Sequence, residues 1–317
     1  EDETQQADLA RPIDAGGGGL DAMWNDDFHH SALVAAGAPR EGYYAAYHGS
    51  SQELVSVAKR GFLYQGQPSP VAGQPRGADA YGLRPSSFVC FLQNHDQIAN
   101  SLTGARLHQQ TSRGRCRALT ALLLLGPWTP LIFQGDEEAA AAPFLFFADH
   151  EGDLARAVAE GRRSFLNQFA SAAESTSALD PPHAAATFER CVLDHTNTPE
   201  GPATALLYRD LIAMRHAERP TLVDAEIDGA VLPGEAFLLR YYARGSAAKS
   251  DRLLVVNLGG PVELPLLANP LLAWPDRGRP WQAGWSSEDR KYGGAGEGLA
   301  TGQPRWRLPA ESAYWLA

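Results

Sequence analysis

Cysteine is scarce, with three in 317 residues, at positions 90, 116 and 191. No Cys-x-x-Cys pair and no Cys/His spacing of a zinc site is present. Three scattered cysteines build no disulfide framework, so the expected setting is reduced and cytoplasmic. Cys90 and Cys116 sit in apolar surroundings and read as packing residues. Long apolar runs are also lacking. The longest, Ala118 to Leu125, falls far short of the roughly 20 residues that cross a bilayer, and no signal-peptide pattern opens the chain. Basic clusters are missing too: 27 Lys and Arg face 37 Asp and Glu, a formal net charge of -10. That balance gives neither nucleic acid nor an anionic membrane a footing, so neither is expected as a partner. Methionine is missing from the first position. The chain opens on Glu1, which leaves a processed chain, an incomplete chain or an omitted initiator open.

What is present is apolar material for a large core, 44% of the residues. That is enough for two folded units. Residues 1–20 read as loop, with Pro12 and the glycine run 16–19. Leu20 to Tyr47 is rich in aromatics and histidine without clear periodicity, and reads as loops around short elements. Gln52 to Lys59 has Leu54, Val55 and Ala58 at helical spacing behind Ser51 as N-cap. Phe88 to Leu92 is a short apolar strand running into Gln93-Asn94-His95-Asp96-Gln97. Arg113 to Leu125 is a helix stopped by Gly126-Pro127. Leu131-Ile132-Phe133 is a second strand, running into Gln134-Gly135-Asp136-Glu137-Glu138. Two such strands around a helix form a βαβ unit. Helices are expected again over Leu154 to Phe169 and Ala203 to His216. After Pro220 the texture changes to strand-like runs, Ala236 to Tyr242, Arg252 to Asn257 and Arg305 to Trp315. This tail reads as an all-β sandwich.

Two segments carry chemistry. Phe91 to Gln97 delivers Asn94, His95 and Asp96 together at a strand end, where barrels of this kind gather their chemistry. An imidazole beside a carboxylate can grip two hydroxyls of one pyranose ring, and the carboxylate can steady positive charge at the anomeric carbon. The plainer alternative is a polar junction in which Asp96 caps a helix. In Leu20 to His30, Trp24 and Phe28 could stack on sugar faces, while Asp26, Asp27, His29 and His30 could bond hydroxyls. The alternative is a partly buried aromatic turn. The two histidines lack the spacing that sets metal ligands on one face. Glu1-Asp2-Glu3 by itself reads as a solvated acidic end.

Taken together, these segments resemble the α-amylase superfamily of glycoside hydrolases, and among them the malto-oligosyltrehalose trehalohydrolases. Gln93 to Gln97 is similar to a conserved region of the superfamily. Leu20 to His30 and Glu41-Gly42-Tyr43-Tyr44 look like the trehalohydrolases. So do Pro130 to Gly135, Pro143 to His150, Glu160-Gly161-Arg162-Arg163 and Thr187-Phe188. Asp136 and the alanines after it depart from the pattern. The resemblance implies an α/β fold: the carboxyl-terminal half of a (β/α)8 TIM barrel over residues 1–221, followed by a β-sandwich over 222–317. It implies hydrolysis of the α-1,4 bond beside a terminal trehalose unit, with malto-oligosyltrehalose or a related α-glucan as partner. Neither cofactor nor metal is implied. Glu1 matches the general acid/base and Asp96 the third carboxylate. Trp24, Asp27, Phe28, His29, His30, Asn94, His95 and Gln97 match the substrate-binding positions. The nucleophilic Asp of the family precedes the acid, and no residue here matches it. Residues 1–317 alone are therefore expected to be inactive and poorly soluble. A branching-enzyme-like glycosyl transfer, or an oligosaccharide-binding remnant, are the alternatives. One cleft holding Asp96, His95 and Trp24 to His30 is expected, with the tail remote from it.

Overall fold

The computed structural model describes residues 1–317 apart from 72, 174–178, 196–197, 224, 244–249, 266–268, 276–278 and 301–304. Three short strands lie side by side and parallel: β1 (Met23–Trp24), β2 (Phe88–Cys90) and β3 (Thr129–Pro130). Trp24 pairs with Val89, and Val89 with Thr129. Parallel neighbours need long crossovers, and helices supply them. Between β1 and β2 run α1 (Asp26–Ala35) and α2 (Ser51–Arg60). Between β2 and β3 run α3 (His95–Ala99), α4 (Leu107–Gln110) and α5 (Arg113–Leu125).

Helix α5 has the expected span. Ser112 caps it by accepting from the Arg115 N–H at 3.1 Å, and Leu119, Leu122 and Leu125 are wholly buried. Ser50, not Ser51, caps α2. Its hydroxyl accepts from the Glu53 N–H, and the Glu53 carboxylate reaches back to the Ser50 N–H at 3.0 Å, a reciprocal capping box. The third strand also differs from expectation. The ladder forms at Thr129–Pro130, two residues earlier than Leu131-Ile132-Phe133. Leu131 still donates its N–H to the Cys90 carbonyl at 2.8 Å. The chain then turns away, and the Phe133 ring packs on Phe144.

Beyond β3 come α6 (Gly152–Leu166), α7 (Ala170–Ala173), α8 (Ala185–Cys191), α9 (Gly201–Ala217) and α10 (Arg219–Leu222). An antiparallel sheet follows in the order β4 (Glu226–Val231), β5 (Ala236–Tyr242), β6 (Arg252–Asn257), β10 (Ser312–Leu316) and β8 (Ala283–Ser286). Strands β7 (Val262–Pro265) and β9 (Arg305–Leu308) form a separate antiparallel pair. The expected run Arg305 to Trp315 is thus two strands, interrupted after Leu308.

Alternation along β5 explains how the sheet is held. Phe237, Leu239 and Tyr241 share one face and Leu238 the other. The first face joins Leu119, Leu122, Leu207 and Leu211 in one continuous core. The second packs with Trp281, Trp306 and Tyr314. The helical layer and the sheet are therefore locked together across residues 221 and 222. The Tyr241 hydroxyl donates to the Leu125 carbonyl at 2.8 Å, and Arg117 reaches the Ser287 carbonyl and the Glu288 carboxylate.

Candidate active site

Because β1 and β2 are parallel neighbours, their carboxyl ends lie together, and each passes through an asparagine cap into a helix. Asn25 caps α1: its side-chain oxygen accepts from the Phe28 N–H at 3.1 Å, and its amide donates to the Gly61 carbonyl at 3.0 Å. Asn94 caps α3 by accepting from the Gln97 N–H at 2.8 Å. An Asn cap satisfies one of the free N–H groups of a first turn. Here it also fixes the direction in which the next residues project. Leu20 to Tyr47 reads from sequence as loops around short elements; in the structure Asp26–Ala35 is a helix of ten residues. Its periodicity was hidden because Asp26, Asp27, His29 and His30, all polar, are buried.

The two caps bring Trp24 and His95 into contact. The half-buried Trp24 indole meets His95 edge-on at 6.1 Å between centroids, and Phe91 at 5.5 Å. His95 Nε2 lies 3.5 Å from an Asp96 carboxylate oxygen, and both side chains are about half exposed, 53% and 48%. Gln97 Oε1 accepts from the Tyr43 hydroxyl at 3.0 Å and lies 3.2 Å from that of Tyr44. Trp24, His95, Asp96 and Gln97 thus form an open group with an aromatic face, an imidazole, a carboxylate and an amide.

The other expected contact residues stand behind it. Phe28 is wholly buried, its ring 4.5 Å from that of Trp128. It faces the core and offers no surface for stacking. Asp27 is also wholly buried. It accepts from Tyr47 (2.6 Å), Gln5 (3.0 Å) and the Leu63 and Tyr64 N–H groups (2.6 and 3.0 Å), with Arg76 3.9 Å away. A carboxylate with this many partners ties loops together. Asn94 is buried and works as the cap. His29 Nδ1 lies 2.7 Å from the Leu92 carbonyl. Burial pushes the imidazole down to about 4. Neutral His29 therefore donates from Nδ1 and leaves Nε2 as an acceptor 3.3 Å from the Tyr44 hydroxyl. His30 is buried among Tyr43, Tyr44 and Tyr47. Burial holds it well below the usual range, and neither ring nitrogen has a partner.

Glu1 is exposed. It stands close enough to Asp26 for its charge to act there: burial first, then the Glu1, Asp27 and Glu3 charges, push Asp26 up to about 7, against the pull of Arg76. Sequence reasoning gave no separate role to Tyr43 and Tyr44, which orient Gln97, or to Arg162. Arg162 donates to the Asn100 side chain at 2.8 Å and to the Ala99 carbonyl, bracing the far end of α3. The sequence signal for them was the adjacent tyrosines and the Glu160 to Arg163 segment.

A second polar cluster lies at the end of β3. Gln93 donates to Asp136 and accepts from the Leu107 N–H at 2.8 Å, and Arg106 is 3.7 Å from Asp136. Burial pushes Asp136 up to about 7. This cluster borders a cavity of about 440 Å3 that Cys116, Thr120, Tyr208 and Tyr292 also line. Among the described residues, no three His, Cys, Asp or Glu side chains converge as metal ligands. No described helix is long and apolar enough to cross a membrane.

No protein-family profile matches the chain. It is 38% identical over 246 residues to the malto-oligosyltrehalose trehalohydrolase of Deinococcus radiodurans, covering 76% of this chain and 40% of the relative. It is 35% identical over 284 residues to that of Arthrobacter ramosus, covering 86% and 46%. A crystal structure from Salmonella typhimurium, described as a candidate α-amylase, superposes with a TM-score of 0.76 at 30% identity, over 94% of this chain and 47% of that one. The chain thus spans less than half the length of the curated relatives it matches. It belongs to the α-amylase superfamily of glycoside hydrolases, with the malto-oligosyltrehalose trehalohydrolases as its relatives.

Proposed function

We propose that these residues form the carboxyl-terminal part of a retaining glycoside hydrolase that frees trehalose from malto-oligosyltrehalose. In this reading β1, β2 and β3 are successive strands of a (β/α)8 barrel, and residues 222–317 are its appended β domain. Two carboxylates carry such chemistry: one attacks the anomeric carbon, while the other protonates the leaving oxygen and then activates water. Glu1 takes the acid/base role. Asp96 orients the reacting ring and steadies the oxocarbenium-like transition state. His95 and Gln97 bond sugar hydroxyls, and Trp24 offers a ring face. The nucleophile comes from a residue outside 1–317, so these residues alone do not turn over.

The observation that carries this reading is the meeting of Trp24, His95 and Asp96 at the ends of two adjacent parallel strands. It is supported by the kinship to trehalohydrolases over three quarters or more of the chain. The test is trehalose release from malto-oligosyltrehalose by the full-length protein and by residues 1–317 alone. Release by the first and none by the second is expected. Equal turnover by both would place the nucleophile within these residues, with Asp26 and Asp27 the first to mutate.

A further inference from the structure

Two phenylalanines that meet at Arg162 keep a large part of their surface open: Phe146 38% and Phe165 39%. Single exposed apolar side chains are ordinary, but a pair gathered on one buried cation beside α3 is not. Phe146 and Phe165 both pack on the Arg162 guanidinium, at 4.9 and 5.1 Å from their ring centroids. Arg162 is itself buried, and two of its donors, Nη1 and Nη2, are fixed at the end of α3 by the Asn100 side chain and the Ala99 carbonyl. Phe165 projects from α6 beside Arg162, and Phe146, from the irregular segment before that helix, rests on the same buried cation. Along a second route, Phe165 packs on Phe169 at 6.2 Å, Phe169 on Tyr43 at 5.3 Å, and Tyr43 bonds Gln97.

We propose that Phe146 and Phe165 form a stacking platform for glucosyl units of the bound glucan chain beyond the unit held at Asp96. The proposal rests on the function given above and names a determinant of chain-length preference for it. The Ala99 carbonyl that Arg162 holds lies about one turn of α3 beyond Asp96, and the two rings pack on the far guanidinium, on the path of a chain extending away from that residue. A glucosyl ring presents an apolar C–H face with hydroxyls around its edge. It suits open ring faces bordered by polar groups, and here Asn100 and Gln97, bonded by Arg162 and by Tyr43, are such groups beside the two routes to the site. Continuity with the site through Arg162 and Tyr43 is what favours a sugar chain over a protein segment as occupant.

The test uses the full-length protein with Phe146→Ala, Phe165→Ala and their double, alongside Phe165→Tyr, which keeps a ring. Calorimetric binding of maltoheptaose and kcat/KM on short and long malto-oligosyltrehaloses are measured together with Tm. The double variant is expected to lose about tenfold in maltoheptaose affinity. It should raise KM on long substrates while leaving the shortest unchanged, and Phe165→Tyr should behave as the parent. Binding of maltoheptaose unchanged in the double variant, or an equal loss on short and long substrates, would overturn the platform and make the strip a packing face for another part of the protein. Ring-dependent binding in a protein that frees no trehalose would uphold the platform and sink the proposed function.

Discussion

The Trp24 indole and the His95 imidazole meet edge-on, 6.1 Å between centroids, although they stand 71 positions apart in sequence. The contact follows from the parallel pairing of Met23–Trp24 with Phe88–Val89, which sets the two strand ends side by side. Trp24→Ala should therefore raise KM for the glucan by roughly tenfold and loosen His95. Trp24→Phe, which keeps a ring face, should cost less. Equal KM values for the parent and Trp24→Ala would show that the indole does not face substrate.

Asn94 should matter to activity without touching sugar. Asn94→Ala removes the cap of α3 and leaves the Gln97 N–H without that acceptor. A cost of about 1 kcal/mol in stability is expected, with a fall in kcat, since the cap aims His95 and Asp96. Asn94→Ser or Asn94→Asp, both good caps, should restore most of it. If Ser and Asp restore nothing, the amide acts in some way other than capping.

Asp27→Ala should cripple folding rather than binding. It strands the Tyr47 hydroxyl, the Gln5 amide and two backbone N–H groups, and leaves Arg76 without its neighbour. Breaking such a buried set costs about 3 kcal/mol or more. Urea unfolding measures it. A stable variant with raised KM would return Asp27 to the substrate side.

Much of this architecture is readable in the sequence. Gly126-Pro127 ends α5 where the apolar run stops, and the runs 236–242 and 252–257 are strands because apolar residues on both faces are buried between two cores. Helix α1 is not readable that way. Its inward face is made of Asp26, Asp27, His29 and His30, and a polar residue that is inward and satisfied by tertiary partners looks the same in sequence as one that faces a ligand. Phe28 misleads for the opposite reason: an aromatic inside a polar motif suggests stacking on sugar, whereas it packs on Trp128. The strand placed at Leu131 to Phe133 slips because the short ladder begins at Thr129, before the apolar run. The sandwich reading of the tail misses the helical layer on one face, since alternation shows that both faces are buried but not by what.

Asp26 gives the stability curve a predictable slope. Its ordinary value is 3.8, and burial pushes it up to about 7 in the folded chain. Between these values the native state holds a proton that the unfolded chain has released. Stability from this group is complete below about pH 4 and is lost as pH rises to about 7, with a ceiling of about 4 kcal/mol. Asp26→Asn cannot ionise, so its advantage over the parent should grow across that window. His29 acts the other way. Pushed down to about 4, it costs stability as pH falls from 6.5 to 4, and His29→Gln should flatten that limb. Urea melts at several pH values measure both, and differences that stay constant with pH would contradict the burial argument.

The most direct test of the catalytic assignment is trehalose release from malto-oligosyltrehalose by the full-length protein and by its Asp96→Asn variant. Asp96 is half exposed, so the exchange should leave Tm unchanged. The expected result is trehalose as product, with kcat lowered about a thousandfold or more by the substitution. A variant that keeps the parent's kcat, or a parent that forms a product other than trehalose, would contradict the account.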